Sequence, residues 1–309
     1  MNDLSLYTSA LRATWKHRRR QMEADRRRRY TRAGVLPKRK LMKLTHLVEP
    51  IVALTGLRRW VLDRTLDVGL TDVQVRFPRL PAAFDGYKIL LISDLHVGRL
   101  PGLIERAADL IRDVPVDMAV LAGDIQSWGT PAAPNAVEQL MPLLDALDIR
   151  DGVFAVLGNH DSHELAEPLE AVGIRVLIND HAMIGRGDAL LRVTGLDDVN
   201  TFYTDDAERA LRTPSQADVS VALVHSPEMA DVAADAGYDL YLAGHTHGGQ
   251  ICLPGGRPIV TAIDHHRDLA SGLWSYDRMA GYTSRGLGVA RRVRVNCPPE
   301  IALLHLCRS

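Results

Sequence analysis

The chain has 309 residues, 46% of them apolar and 24% charged, with a formal net charge of −1. That composition excludes a disordered or collagen-like chain and allows one large domain, or two small ones, with a substantial core. The near-zero total conceals an asymmetry: residues 1–43 hold 14 Lys/Arg against 3 Asp/Glu, so a basic arm of +11 precedes a body of −12.

Cys252, Cys297 and Cys307 are odd in number and form no CxxC, which argues against a disulfide framework and for a reducing compartment. No run of about 18 apolar residues offers a transmembrane helix. The N-terminus also lacks the basic, apolar, small-residue order of a secretory signal. Arg18-Arg19-Arg20 is not followed by the apolar run of a twin-arginine signal. The expected location is cytoplasmic, or peripheral to the inner face of the membrane.

In chain order, residues 1–33 contain no Pro or Gly and predict a long charged helix bearing Lys16-His17-Arg18-Arg19-Arg20 and Arg26–Arg29. Three readings of this arm stand: a solvated tail, attraction to an anionic membrane, or nucleic-acid binding. Each Lys/Arg near a lipid surface contributes about 1 kcal/mol; for nucleic acid, only Trp15 and Tyr30 provide stacking rings. Residues 46–63 place Ile51, Leu54, Leu57, Trp60 and Val61 at helical spacing beside Arg58, Arg59 and Arg64. Such a stripe packs on its own domain or lies in a membrane interface. Residues 1–70 are thus read as a basic, amphipathic extension, a candidate peripheral anchor, and 71–309 as the main domain.

From Val73 onward short apolar runs alternate with helix-like segments. Tyr87–Ile92, Met118–Leu121, Val153–Val156, Leu190–Val193, Val219–Val224 and Leu240–Leu242 read as buried strands. Gly102–Arg112, Ala136–Leu147, Glu164–Val172 and Asp231–Ala236 read as helices, and Arg292–Val295 and Ile301–Leu306 as two last strands. Strand–helix alternation predicts an α/β fold.

Five of the apolar runs end in metal-binding side chains: Asp94-Leu95-His96, Gly123-Asp124, Gly158-Asn159-His160-Asp161, His225, and Gly244-His245-Thr246-His247-Gly248. Ligands gather at the carboxyl ends of strands in layered α/β proteins, where loops carry function without disturbing the core. One intervening residue between Asp94 and His96 aims both to the same side of an extended backbone, and His245 and His247 repeat that spacing. Asp124 is the natural carboxylate to bridge two cations. A nitrogen and oxygen donor set without thiolate suits Mn, Fe, Zn, Co or Ni, and carries too many imidazoles for a dedicated Mg site. Any one of these residues alone would more simply be a satisfied polar group. Their joint pattern is hard to assign to packing.

The order D-x-H, G-D, G-N-H-D, H, G-H-x-H resembles the calcineurin-like metallophosphoesterase superfamily over about residues 85–250. Gly248-Gly249-Gln250, Ser284-Arg285-Gly286-Leu287-Gly288, and Asn296-Cys297-Pro298-Pro299-Glu300-Ile301 are similar to its YkuE-like branch, as are Leu80-Pro81 and Phe84-Asp85-Gly86. The resemblance implies a four-layer α-β-β-α sandwich holding two divalent metals. One would sit on Asp94, His96, Asp124 and His247, the other on Asp124, Asn159, His225 and His245. It also implies His160 as the group that contacts the phosphate and assists the leaving group, with Asp161 orienting His160. A hydroxide bridging the metals would then attack phosphorus, without a covalent enzyme intermediate. Competition between protons and metal at His225 and His247 predicts activity falling below about pH 6.

The chain departs from the pattern after Gly-Asp, where many relatives carry a second acidic residue and this one has Ile125, Gln126, Ser127 and Trp128. Many members of the branch also begin with a membrane segment or export signal. His163 is expected at the surface at a helix start, with substrate contact as the alternative; His265-His266 are expected at the surface, and Arg99 either meets a phosphate or forms a surface ion pair. The expected substrate is a phosphodiester or pyrophosphate, and a lipid-linked one such as UDP-2,3-diacylglucosamine would suit a membrane-seeking arm. A nucleic-acid phosphodiesterase and a non-catalytic scaffold are the alternatives.

Overall fold

The computed structural model describes residues 3–25, 64–289 and 293–309. Two six-stranded sheets stack face to face. The first runs in the order β1(Gly69–Phe77), β14(Glu300–Arg308), β2(Lys88–Ile92), β4(Met118–Ala122), β6(Val153–Val156), β7(Arg175–Val176). The second runs β12(Gly272–Tyr276), β13(Met279–Thr283), β11(Leu240–Ala243), β10(Val219–Leu223), β9(Ala189–Gly195), β8(Asp180–Arg186). Short strands β3(Pro115–Val116) and β5(Asp148–Ile149) pair beside them. The central strands of both sheets are parallel, and the antiparallel strand pairs of the two described sheets are β14–β2, β8–β9 and β12–β13.

Period-two alternation explains the layering. Ile89 and Leu91 of β2 face the second sheet, in a cluster with Val120, Val221, Leu242 and Leu304. Leu90 and Ile92 face outward, where helices Leu103–Ile111, Ala133–Asp145 and Ala166–Ala171 cover them. On the far side, Ala222, Val224 and Tyr241 meet helices Asp205–Arg212 and Ala230–Asp235. Because helices cover both outer faces, the central strands are apolar throughout rather than alternating. The fold is the expected mixed α/β one, in four layers.

Several boundaries differ from expectation. β1, β8, the β12–β13 hairpin and helix Asp205–Arg212 carry weak local signals. β1, for example, is buried only at Val73, Val75 and Phe77, with polar residues between. The last expected strand lies within β14. Arg292 lies outside the described residues, and Val295 forms only an isolated bridge with Ile251.

Helix α1(Asp3–Ala24) is docked on the body. Arg12 pairs with Glu170 at 2.5 Å, Lys16 with Glu167 at 2.8 Å and Arg18 with Asp206 at 2.8 Å, while Arg19 is buried against Asp197. Trp15 donates its indole N–H to Asp197 at 2.7 Å and packs against the helix-covered core, so it is no free stacking platform. The amphipathic stripe at 46–63 lies outside the described residues. Among those described, no helix is long and apolar enough to cross a membrane.

Candidate metal centre

The carboxyl ends of β2, β4 and β6 face those of β10 and β11, and a candidate ligand follows each within three residues. The turns are tight and stitched together. Asp94 N–H donates to the Gly123 carbonyl at 3.0 Å, His96 N–H to that of Asp124 at 3.0 Å, and Gly244 N–H to that of His225 at 2.9 Å. A Cβ on Gly158 would collide with the Asp124 carboxylate, and one on Gly244 with Ser93 and Asp94. Only glycine lets these strand ends approach so closely.

Asp94, His96, Asp124, His245 and His247 all adopt positive φ, between 44° and 69°. Such conformations are unfavourable for residues with a side chain and persist where the surroundings enforce them. They also correct the simple alternation argument. Asp94 and His96 converge through left-handed turns rather than an extended strand. His245 and His247 do not aim to one side, since each joins a different cluster.

The first cluster comprises Asp94, His96 and His247. Nε2 of His96 and Nε2 of His247 are 3.2 Å apart, and Asp94 Oδ1 is 3.5 Å from the latter. The second comprises Asp124, His225 and His245, with Asn159 Oδ1 3.2 Å from His225 Nε2. Asp124 stands between them, Oδ2 at 3.8 Å from His96 Nε2 and Oδ1 at 3.4 Å from His225 Nε2. His160 also lies within reach of His96 and Asp124.

The ring tautomers follow from the outer contacts. A carbonyl can only accept, so His96 Nδ1–H donates to Gln126 O at 3.0 Å and His225 Nδ1–H to Ala122 O at 2.7 Å. Each ring, when neutral, therefore turns its Nε2 lone pair inward. Asp94 Oδ1 is buried with no hydrogen-bond partner. Lone pairs facing lone pairs at 3.2 Å need a cation or proton between them, so the donor set fits two divalent metals.

The electrostatics agree. Burial pushes Asp94 up to about 7, with Asp124 adding to the effect. Burial lowers His96 to about 3 and, reinforced by His225, His245 to about 4. For His225 burial opposes the charged ring, yet Asp124 and Asp94 outweigh it and hold its pKa up at about 10. Burial likewise works against the Asp124 carboxylate, but His225, His160 and His96 keep it well below the usual range. Without metal, a proton on His225 thus neutralises the central carboxylate.

Asp161 requires a correction. Its oxygens accept from Gly158 N–H at 2.8 Å and Gln126 N–H at 2.7 Å, so it pins two backbone turns rather than the His160 ring. Burial raises its pKa to about 6. His160 is held instead by its own N–H, which donates to Asp124 Oδ1 at 2.8 Å, and by Trp128, whose ring centroid lies 4.3 Å away. His163, expected at the surface, is 8% exposed and bonded through Nδ1 to Glu23 at 2.7 Å. His265 and His266 are half-buried, His266 lying 3.6 Å from Asp231. The thiols of Cys252, Cys297 and Cys307 are free, the first two buried.

A cavity of about 280 Å³ opens over the clusters, lined by Asp124, Asn159, His160, His245 and His247 and walled by Trp128, Asn200, Phe202 and Glu23. Local sequence gave no sign that Glu23 belongs there. The Ser284–Gly288 turn braces Asp94 from below. Leu287 N–H donates to Ser93 O at 2.9 Å, and buried Arg294 donates to the carbonyls of Arg285, Gly286 and Gly288.

Residues 87–249 match the model of the calcineurin-like phosphoesterase family. Phosphodiesterase YaeI of Escherichia coli (strain K12) is 31% identical over 234 residues, 71% of this chain and 82% of its own. The metallophosphoesterase YkuE of Bacillus subtilis (strain 168) is 30% identical over 245 residues, 76% and 84% of the two chains. Among solved structures, a dimetal phosphatase from Danio rerio aligns at 12% identity and a TM-score of 0.41, over 67% of this chain and 90% of its own.

Proposed function

Since the chain belongs to the calcineurin-like phosphoesterases, and is thereby a metal-dependent phosphoester hydrolase, we propose that it cleaves a phosphodiester or pyrophosphate bond at the paired clusters. The observation that carries this reading is the inward convergence of His96 Nε2, His247 Nε2 and Asp94 Oδ1 on one side of Asp124, and of His225, His245 and Asn159 on the other. Asp94, His96, Asp124 and His247 would hold one divalent cation, and Asp124, Asn159, His225 and His245 the second. When bound, such a pair neutralises phosphate oxygens and makes a strong nucleophile available at neutral pH.

The protein's own groups do the rest. Bonds from Nδ1 to the Ala122 and Gln126 carbonyls keep Nε2 of His225 and of His96 directed inward. Burial depresses the pKa of His160 and so favours its neutral form. An anionic phosphate beside it offsets that burial and lets the ring carry a proton toward the leaving oxygen. The relative named as a phosphodiesterase supports a diester substrate. The exposed ring of Trp128 on the cavity wall supports a large organic group on one side of the phosphate, such as a lipid-linked nucleotide of the UDP-2,3-diacylglucosamine kind.

Gel-filtered protein with added Mn should hydrolyse bis-p-nitrophenyl phosphate, and Asp124→Asn should abolish turnover. Activity that survives the substitution would overturn the proposal. Screening lipid-linked nucleotides, cyclic nucleotides and DNA then separates the substrate classes.

A further inference from the structure

We infer that Arg19, on the N-terminal helix, is a positioning residue for the loop that carries Asn159 and His160. The inference rests on the assignment of those two residues to the phosphoesterase site. Arg19 is 1% exposed, and each arm of its guanidinium is engaged. One Nη donates to Asp197; the other donates to the carbonyls of Gly158 at 3.0 Å and Asp161 at 3.1 Å. Nε reaches Glu23 at 3.2 Å, and the guanidinium plane lies 3.5 Å over the Phe202 ring.

The two carbonyls bracket Asn159-His160. Glu23, one turn along α1, takes the next part of the same loop, accepting from His163 N–H at 2.7 Å and from its Nδ1 at 2.7 Å. Asp197 meanwhile ties Arg19 to the segment leading to Asn200, Thr201 and Phe202 on the cavity wall, and accepts from Trp15. Helix α1 therefore fastens two walls of the cavity to each other through one buried cation.

Helix adhesion alone would not demand this arrangement. Arg12 and Lys16 already glue α1 to Glu170 and Glu167 through half-exposed pairs away from the site. Burying a cation is costly unless it is paired and its donors are satisfied, and here the two spare donor bonds are placed on the backbone beside a candidate ligand. Lysine cannot replace this fork, because its three donors radiate from a single atom. Displacing an outer-shell partner typically costs 10–100-fold in metal affinity or activity.

The test compares Arg19→Lys and Asp197→Asn with Arg12→Ala and Lys16→Ala, and with Asp124→Asn as reference, in the full chain. Readouts are kcat and KM on bis-p-nitrophenyl phosphate, the pH profile of kcat, Mn affinity by electron paramagnetic resonance, and thermal melting. Arg19→Lys should lower kcat about 10–100-fold with KM nearly unchanged, weaken Mn binding about tenfold or more, and shift the acidic limb of the profile. Asp197→Asn should do the same more weakly, and the Arg12 and Lys16 variants should match wild type. Folded Arg19→Lys with wild-type kcat, profile and Mn affinity overturns the inference, as does a loss in all four variants that only tracks melting temperature. If Arg19→Lys does not fold, Asp197→Asn decides by the same readouts. An active Asp124→Asn would instead refute the underlying site assignment.

Discussion

Metal loading should expel protons, and His225 sets how many. Its pKa of about 10 in the metal-free protein exceeds the ordinary imidazole value of 6.5 because Asp124 and Asp94 outweigh the burial penalty. A shift of that size favours the protonated ring by on the order of 5 kcal/mol. At pH 7.5 the ring is therefore almost fully protonated, whereas Asp94, at about 7, is mostly ionised. Binding should release about one proton from His225 and a fraction of one from Asp94, with apparent affinity rising about tenfold per pH unit toward pH 10. The raised pKa also stabilises the metal-free fold fully below about 6.5, a contribution lost as pH climbs through about 10. Isothermal titration calorimetry with Mn at pH 7.5, in buffers of different ionisation enthalpy, counts the protons directly. Zero protons released, together with affinity independent of pH, would refute the electrostatic reasoning.

Gly158→Ala should abolish turnover and Mn binding, because the added methyl would occupy the space of the Asp124 carboxylate; an unchanged kcat would show that the turn relaxes without cost. His160→Asn should lower kcat about 10²–10⁴-fold while Mn affinity stays within about threefold of wild type, provided the ring acts on the phosphate and not as a ligand. Glu300, 1% exposed, accepts from Tyr282 OH and from Arg285. Glu300→Ala should thus cost about 3–5 kcal/mol in urea unfolding, and a loss below about 1 kcal/mol would show that Arg285 finds other partners.

The centre of the fold is legible because strands such as Ile89–Ile92 and Met118–Leu121 are buried on both faces and end abruptly in Gly, Asp, Asn or His. The edges are less so. In helix Asp205–Arg212 only Ala207 and Leu211 are buried, and β1 interleaves Thr71, Asp72, Gln74 and Arg76 with its inward residues. The candidate ligands stand out as residue types, but their division between two clusters depends on positive-φ turns that spacing does not encode. The place of α1 was hidden for a different reason. Its partners Glu167, Glu170, Asp197 and Asp206 lie more than 140 residues away in the chain, so its Arg and Lys read locally as an unpaired basic arm. Asp161 shows the same limit: motif position suggests a ring partner, while its geometry assigns it to two amides.

Counting metals tests the central claim most directly. Elemental analysis of Mn-reconstituted, gel-filtered protein should give two Mn per chain, and Asp124→Asn, which removes the charge between the two clusters, should give one or none. Two equivalents retained in that variant, or a single equivalent in fully active wild type, would contradict a paired centre built around Asp124.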